Sequence, residues 1–209
     1  MSITYESNEH ASIVSSFGQD FGVGFEKVAK IYSPDADGNC GYRAISMAIY
    51  GNQNSWKEVK EQVLKTYQKY KDTLYANRVE DSDIFEKSLS CNLSPCPIQY
   101  WFNTTGCPQI AADAFVRSIV VFSKTSFNGK PFKTSNFFAP LASEPTNYPV
   151  INILLDHNHF YLIETARTKI GRPVKFPIPV LNPYHKALVK RNSTLCARDY
   201  SIYNCNCIY

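Results

Sequence analysis

The sequence predicts an α+β domain, with helices gathered in its first half and strands in its second. Three observations carry this. Apolar residues recur at helical spacing from Trp56 through Val59, Val63, Tyr67 and Tyr70 to Leu74. The period then breaks at Ile119-Val120-Val121-Phe122, a short continuous apolar run of the kind a buried strand needs. Finally, Val150 to Leu155 and His159 to Glu164 flank the tight turn Asp156-His157-Asn158, so these two runs make a hairpin.

The elements follow in order. Residues 1–24 are weakly patterned and read as an N-terminal extension. Phe25 to Ile31 reads as a short helix or a strand, and it runs into the turn-rich Ser33-Pro34-Asp35-Ala36-Asp37-Gly38-Asn39. Cys40 begins a helix to Tyr50 whose buried face holds Ala44, Ile45, Ala48 and Ile49, with Gly51 as its stop. Ser55 and Glu58 form a capping box at the head of the Trp56 helix, whose aromatic stripe reads as core. A shorter helix starts at Ser82 and carries Ile84, Phe85 and Leu89. Pro108 suits the first position of a helix through Phe115. Residues 127–148 are rich in Pro, Asn, Ser and Thr and are expected to form a long loop. Pro173, Pro177 and Pro179 confine Val174 to Leu181 to an edge strand or a loop. Residues 183–209 show no pattern that places them. The expected organisation is a domain over 25–165 and a C-terminal extension over 166–209, which would serve as a lid, as a partner site or as packing for the sheet.

Composition narrows the class. A chain of 209 residues suits one domain, and 44% hydrophobic with 19% charged residues is the balance of a globular protein, not of a disordered one. The net charge of +4 is mild and spread out, and the densest basic stretch, Lys186 to Arg191, reads as a solvated face, so no nucleic-acid partner is expected. No apolar run approaches the roughly 18 residues of a membrane span, so no membrane partner is expected. Met1 to Phe21 has acidic residues and no basic one, which does not fit a signal peptide. A reducing compartment is therefore expected, the cytoplasm first and the nucleus as the alternative. There the seven cysteines, an odd number, are thiols. The two glycosylation-type triplets, at Asn103 and Asn192, read as chance matches. Cys91, Cys96 and Cys107, and again Cys196, Cys205 and Cys207, lack the paired spacing of a zinc site, so no metal is expected.

The stretch Asp37-Gly38-Asn39-Cys40-Gly41-Tyr42-Arg43-Ala44 carries the chemistry. An Asp-Gly-Asn alone is a turn, and a lone cysteine is core. A free thiol has a pKa of about 8.5 and is mostly protonated at neutral pH. A helix N-terminus brings unpaired N–H groups and the positive end of the dipole to the sulfur, and a nearby histidinium would favour thiolate further. The same turn offers N–H groups around Gly38 to Cys40 for an oxyanion, and Gly38 lets the backbone turn sharply without side-chain bulk. A base must come from elsewhere. Of the four histidines, His159 opens a strand, a rigid platform. His157 falls in the turn, and His10 and His185 lie in segments without an anchor. Arg43 reads as structural, paired with a carboxylate.

Taken together, Asp37, Gly38, Asn39, Cys40, Tyr42, Arg43 and Ala44 resemble the catalytic motif of the ovarian-tumour (OTU) cysteine protease family. His159-Phe160, after an aliphatic strand, resembles the family's second motif. Trp101, the alanine-containing helix Ala111 to Phe115 and the strand at Ile119 are similar in kind and order. The resemblance covers roughly Phe25 to Glu164. It implies a papain-like OTU fold, a small mixed or antiparallel β-sheet flanked by helices. It further implies a deubiquitinase with Cys40 as nucleophile, His159 as base and an acyl-enzyme intermediate. The partner would be ubiquitin or a ubiquitin-like protein, with no cofactor. It gives Asp37 the triad's third place and Gly38 and Asn39 the oxyanion hole, although Asn39 also fits a role in shaping the turn. Other members place Asn or Asp two residues after the histidine. Tyr161 stands there, which moves the weight to Asp37 or to a residue the sequence does not identify. A catalytically inactive module that binds ubiquitin or a partner, and a viral or mobile-element polyprotein protease, are the alternative readings. Glu80, Asp81, Asp83 and Glu86 are a candidate acidic surface for ubiquitin's basic tail.

Overall fold

The computed structural model describes residues 4–76, 79, 81–127, 130–143, 148–174, 176 and 180–181. Strands β1 (Val28–Tyr32), β2 (Ile119–Phe127), β3 (Lys130–Phe138), β4 (Ile151–Asp156), β5 (His159–Thr165) and β6 (Val180–Leu181) form a six-stranded sheet in the order β1-β5-β4-β2-β3-β6. The β2–β4 and β3–β6 pairs are parallel and the others antiparallel, so the sheet is mixed. Helices α2 (Cys40–Tyr50), α3 (Trp56–Tyr70), α4 (Ser82–Ser90) and α5 (Cys107–Phe115) fill the first half of the chain after β1. The α+β class is as the sequence indicates.

The sheet is covered on both faces. On one, Tyr42, Ala44 and Ile45 of α2, Val59 and Val63 of α3 and Ile110 of α5 pack with Ile119, Val121, Ile153, Phe160 and Leu162. On the other, Val14 and Phe17 pack with Val120, Phe122, Leu154 and Ile163. Successive strand residues point to opposite faces, so a strand buried on both sides is apolar throughout instead of alternating. That is why Ile119 to Phe122 and Ile151 to Leu154 read as continuous apolar runs.

Four expectations need correction. First, a helix, α1 (Thr4–Phe21), occupies the weakly patterned N-terminus. Its serines and threonine are mediocre helix formers, and packing supplies what propensity lacks. Phe17 is fully buried, edge-on to Phe122 at 5.0 Å and beside Phe176 at 5.9 Å, and Asp20 bonds Lys124 at 3.1 Å. Second, the capping box at Ser55 does not form. Ser55 makes no side-chain cap; instead Asn52 Oδ1 accepts the N–H groups of Asn54 and Ser55. The helix also ends at Tyr70, short of Leu74. Third, the expected loop 127–148 contains β3, paired with β2 from Ile119↔Phe138 to Phe127↔Lys130. Asn128-Gly129 is the strongest short hairpin signal a sequence offers, and Pro131 falls on a stretch of β3 that β6 does not reach. Fourth, α5 starts at Cys107, which moves Pro108 from the first to the second helical position. Of the segment after 165, Val174 bonds back to Ala166, and Phe176 is buried in the second core. Residues 182–209, with His185 and Cys196, Cys205 and Cys207, lie outside the described residues, as does the His10 side chain. Among the described residues, no helix is long and apolar enough to cross a membrane.

Candidate active site

Cys40 is the first residue of α2 and only 6% exposed. The chain reaches it through Gly38, at φ 81°, a conformation that favours glycine. A Cβ there would also stand 2.4 Å from Trp101 Nε1 and 2.8 Å from the Cys96 carbonyl. Gly41 is equally confined, with a Cβ position 2.5 Å from the Phe102 ring. That ring meets Tyr42 and Phe160 edge-on, each at 5.0 Å. Sequence reading identified Gly38 as a turn residue, but the packing limit at Gly41 depends on a ring some sixty positions away.

Asp37 is the hub of the turn. Its carboxylate accepts from Arg43 Nε at 3.1 Å and Nη2 at 2.7 Å, from Ser94 Oγ at 2.6 Å, and from Asn39 N at 3.0 Å and Nδ2 at 3.2 Å. Burial works against its charge, but the bonds from Arg43, Ser94 and Asn39 outweigh burial and hold the acid well below the ordinary carboxylate range. None of these bonds goes to His159. Asp37 therefore orients the turn and Arg43 in this geometry, not the imidazole. Asn39 is fully buried, and its Nδ2 also bonds the Leu93 carbonyl at 3.0 Å. With the N–H and Nδ2 of Asn39 already committed, the oxyanion donation expected of it has no group left to make it. The turn-shaping alternative matches these contacts. Arg43, 6% exposed, is structural as expected, bonding Asp37 and stacking over Trp56 at 5.4 Å.

The backbone N–H groups of Phe160, Gly41 and Cys40 itself act on the Cys40 sulfur to favour its thiolate. The first comes from β5, so the start of α2 and the start of β5 do meet. Burial nevertheless dominates and pushes the thiol above its ordinary value, with the charge of Asp37 adding to the rise. Cys40 and His159 share no hydrogen bond, and the thiolate expectation from the sequence is not met in this state. His159 opens β5, half-buried, and burial pushes its imidazole below the ordinary value. Its Nε2 lies 3.1 Å from Ser33 Oγ, and its ring stands edge-on to Tyr161 at 4.6 Å. His157 has a side chain 97% exposed in the turn, at φ 47°, with its Nδ1 2.8 Å from the Asp156 carboxylate. Ser33 carries no motif; only the β1–β5 pairing brings it to His159.

A groove of about 250 Å³ opens beside the sulfur, lined among others by Gly38, Trp101, Asn103, Thr104 and Asn158. Its wall rests on the segment 91–97, between α4 and the Trp101 turn. The Asp37 carbonyl accepts the Cys96 N–H at 2.7 Å, and the Cys96 carbonyl accepts Trp101 Nε1 at 2.9 Å. Buried Lys60 fixes the same segment, donating to the Cys91 carbonyl at 2.7 Å and to the Ser88 carbonyl at 3.1 Å. The Cys91 and Cys96 sulfurs are 4.0 Å apart, whereas Cys107 bonds Tyr42 Oη deeper in the core. Of the candidate acidic surface, Asp81 caps α4 through the Ile84 N–H and Glu86 bonds Lys71, so both have structural partners; Glu80 lies outside the described residues.

No family model and no curated protein matches the sequence. Solved OTU domains align with about two thirds of the chain. The viral OTU domain protease from Taggert virus aligns over 69% of this chain and 84% of its own, at 17% identity and a TM-score of 0.49. The OTU domain of OTUD1 aligns over 64% and 84%, at 20% identity and 0.47. The Hazara virus OTU, solved bound to ubiquitin, aligns over 66% and 82%, at 14% identity and 0.48.

Proposed function

We propose that the chain is an OTU-type thiol protease that hydrolyses the isopeptide or peptide bond after the C-terminus of ubiquitin or a ubiquitin-like protein. The observation that carries this reading is the place of Cys40, at the head of α2 and in the wall of a groove it shares with Phe160, one residue from the strand-borne His159. The resemblance of the Asp37 to Ala44 stretch to the OTU motif supports ubiquitin as the substrate. A reducing compartment such as the cytoplasm is part of the same proposal.

In the mechanism, substrate enters the groove and closes the gap between thiol and imidazole, as catalytic hydrogen bonds commonly tighten only in the complex. His159 takes the Cys40 proton, and the thiolate attacks the carbonyl carbon. The resulting oxyanion is met by the Cys40 N–H at the start of α2. His159 returns the proton to the departing amine, and the acyl-enzyme forms. Water, deprotonated by His159, then releases the carboxylate. Asp37 serves as scaffold for the turn, through Arg43, Ser94 and Asn39.

A ubiquitin probe bearing a C-terminal electrophile tests the reading. Covalent labelling of the wild type, lost in Cys40→Ala, is the expected result. The missing Cys40–His159 hydrogen bond favours one second reading, an inactive ubiquitin-binding module. That reading predicts binding of the probe without a covalent product.

A further inference from the structure

We infer that Ser33 is the positioning residue for His159, holding Nε2 so that Nδ1 is the nitrogen offered to Cys40; this rests on the thiol-protease reading above. The contact is 3.1 Å and joins residues far apart in sequence. It follows from the sheet. In the β1–β5 register, Tyr32 pairs with Leu162 and Ile31 with Ile163. One residue further on, Ser33 falls across from Tyr161, whose side chain shares a strand side with His159. Tyr161 meets the imidazole in a T-shaped contact and Ser33 hydrogen-bonds it, so the ring is held at two points.

The carboxylates that would normally do this work are committed elsewhere. Asp37 takes Arg43, Ser94 and Asn39. Asp35 takes Gln53 Nε2 at 3.1 Å and lies 3.8 Å from Arg43. Asp156 takes Lys124 at 2.6 Å and His157 at 2.8 Å. Among the described residues, the hydroxyl of Ser33 is the polar side chain hydrogen-bonded to the ring.

The chemistry suits the role. A neutral imidazole carries one N–H and one lone pair, and which nitrogen holds the proton follows from the hydrogen bond each makes. Ser33 Oγ accepting from Nε2–H leaves the Nδ1 lone pair to receive the thiol proton. A hydroxyl does this without lending charge. The imidazolium formed during catalysis therefore gains less stabilisation than a carboxylate would give, in keeping with a base that burial already pushes down.

Two readouts on the full chain test this. In nitrogen-15 NMR, with the His159 signals identified by their loss in His159→Gln, the wild type is expected as the Nε2–H tautomer. Ser33→Ala should shift its population toward Nδ1–H, and Ser33→Thr should restore it. In turnover of a ubiquitin-tail substrate, Ser33→Ala should lower kcat roughly 10- to 100-fold with KM little changed. Ser33→Asp should raise the acid limb of the pH–rate profile, because a carboxylate favours imidazolium. An unchanged tautomer in Ser33→Ala overturns the inference. So does a kcat that stays the same or rises, the latter meaning that Ser33 holds the ring away from the thiol. If the wild type neither labels nor turns over, the protease reading fails by itself, and the tautomer measurement still decides whether Ser33 sets the ring.

Discussion

At the residue scale, one carboxylate and one thiol carry opposite electrostatic fates in neighbouring positions. Asp37 is ionised in the fold because donors surround it, despite burial. Its folded pKa lies below the unfolded value, so its contribution to stability is fully present above the ordinary carboxylate range. That contribution is lost as pH falls through the lower folded value. Asp37→Asn should therefore remove part of the acid-side decline in stability and lower stability at neutral pH, as read from urea midpoints between pH 3 and 7. An unchanged pH dependence would show that the hub contributes nothing. Cys40 behaves oppositely, because burial raises it. Iodoacetamide should alkylate the substrate-free protein at Cys40 slowly at pH 7 and faster as pH rises past the usual thiol range. His159→Ala should leave that profile nearly unchanged. A rate plateau already reached near neutrality, lost with His159, would mean a resident thiolate–imidazolium pair. Cys40 and His159 were both legible in the sequence. The partner of His159 was not, since a serine after a strand is chemically ordinary until a second strand is laid beside it.

At the element scale, the start of α2 depends on a segment from another part of the chain. Residues 91–97 hold the turn before Cys40 through the Cys96 N–H, Ser94 Oγ and the Leu93 carbonyl. Lys60 anchors that segment to α3 from a position 1% exposed, with its ammonium 4.7 Å over the Tyr42 ring. Burial lowers its pKa, and the Ser88 and Cys91 carbonyls and the Tyr42 ring give the buried ammonium its partners. Lys60→Met matches its length but leaves the Ser88 and Cys91 carbonyls without this donor. We expect a loss of about 1–3 kcal/mol in urea unfolding and weaker probe labelling at Cys40. Full stability and labelling would mean that water replaces the ammonium without cost. Periodicity showed α3 as amphipathic, but a lysine at a buried helical position reads as surface in any one-dimensional pattern. The Ser55 capping box failed for a similar reason, because Asn52, earlier in the turn, takes the Ser55 N–H that Glu58 would have accepted.

At the scale of the whole molecule, the sheet has two apolar faces, and the chain must supply helices to both. The α2–α3–α5 layer covers one, while α1 and Phe176 cover the other. Phe17 is central to the second layer, in ring contact with Phe21, Phe122 and Phe176. Phe17→Ala should cost about 3–5 kcal/mol, measured by thermal or urea unfolding, with the site intact in the molecules that stay folded. A loss below about 1 kcal/mol would make α1 an appendage to the fold. The sequence by itself determined the α+β class and the span of α2, and it offered the nucleophile and base of the proposed function, because these rest on local periodicity, a helix start and a residue motif that short stretches of chain encode. Only the tertiary structure decided α1, β3, the Lys60 anchor, the Asp37–Arg43 hub and the Ser33–His159 contact. The β2–β3 hairpin and the Asp37–Arg43 bond are local, but α1, the Lys60 anchor, the Ser94 arm of the hub and the Ser33–His159 contact join distant segments, and their free energy exists only once the intervening chain has closed around them.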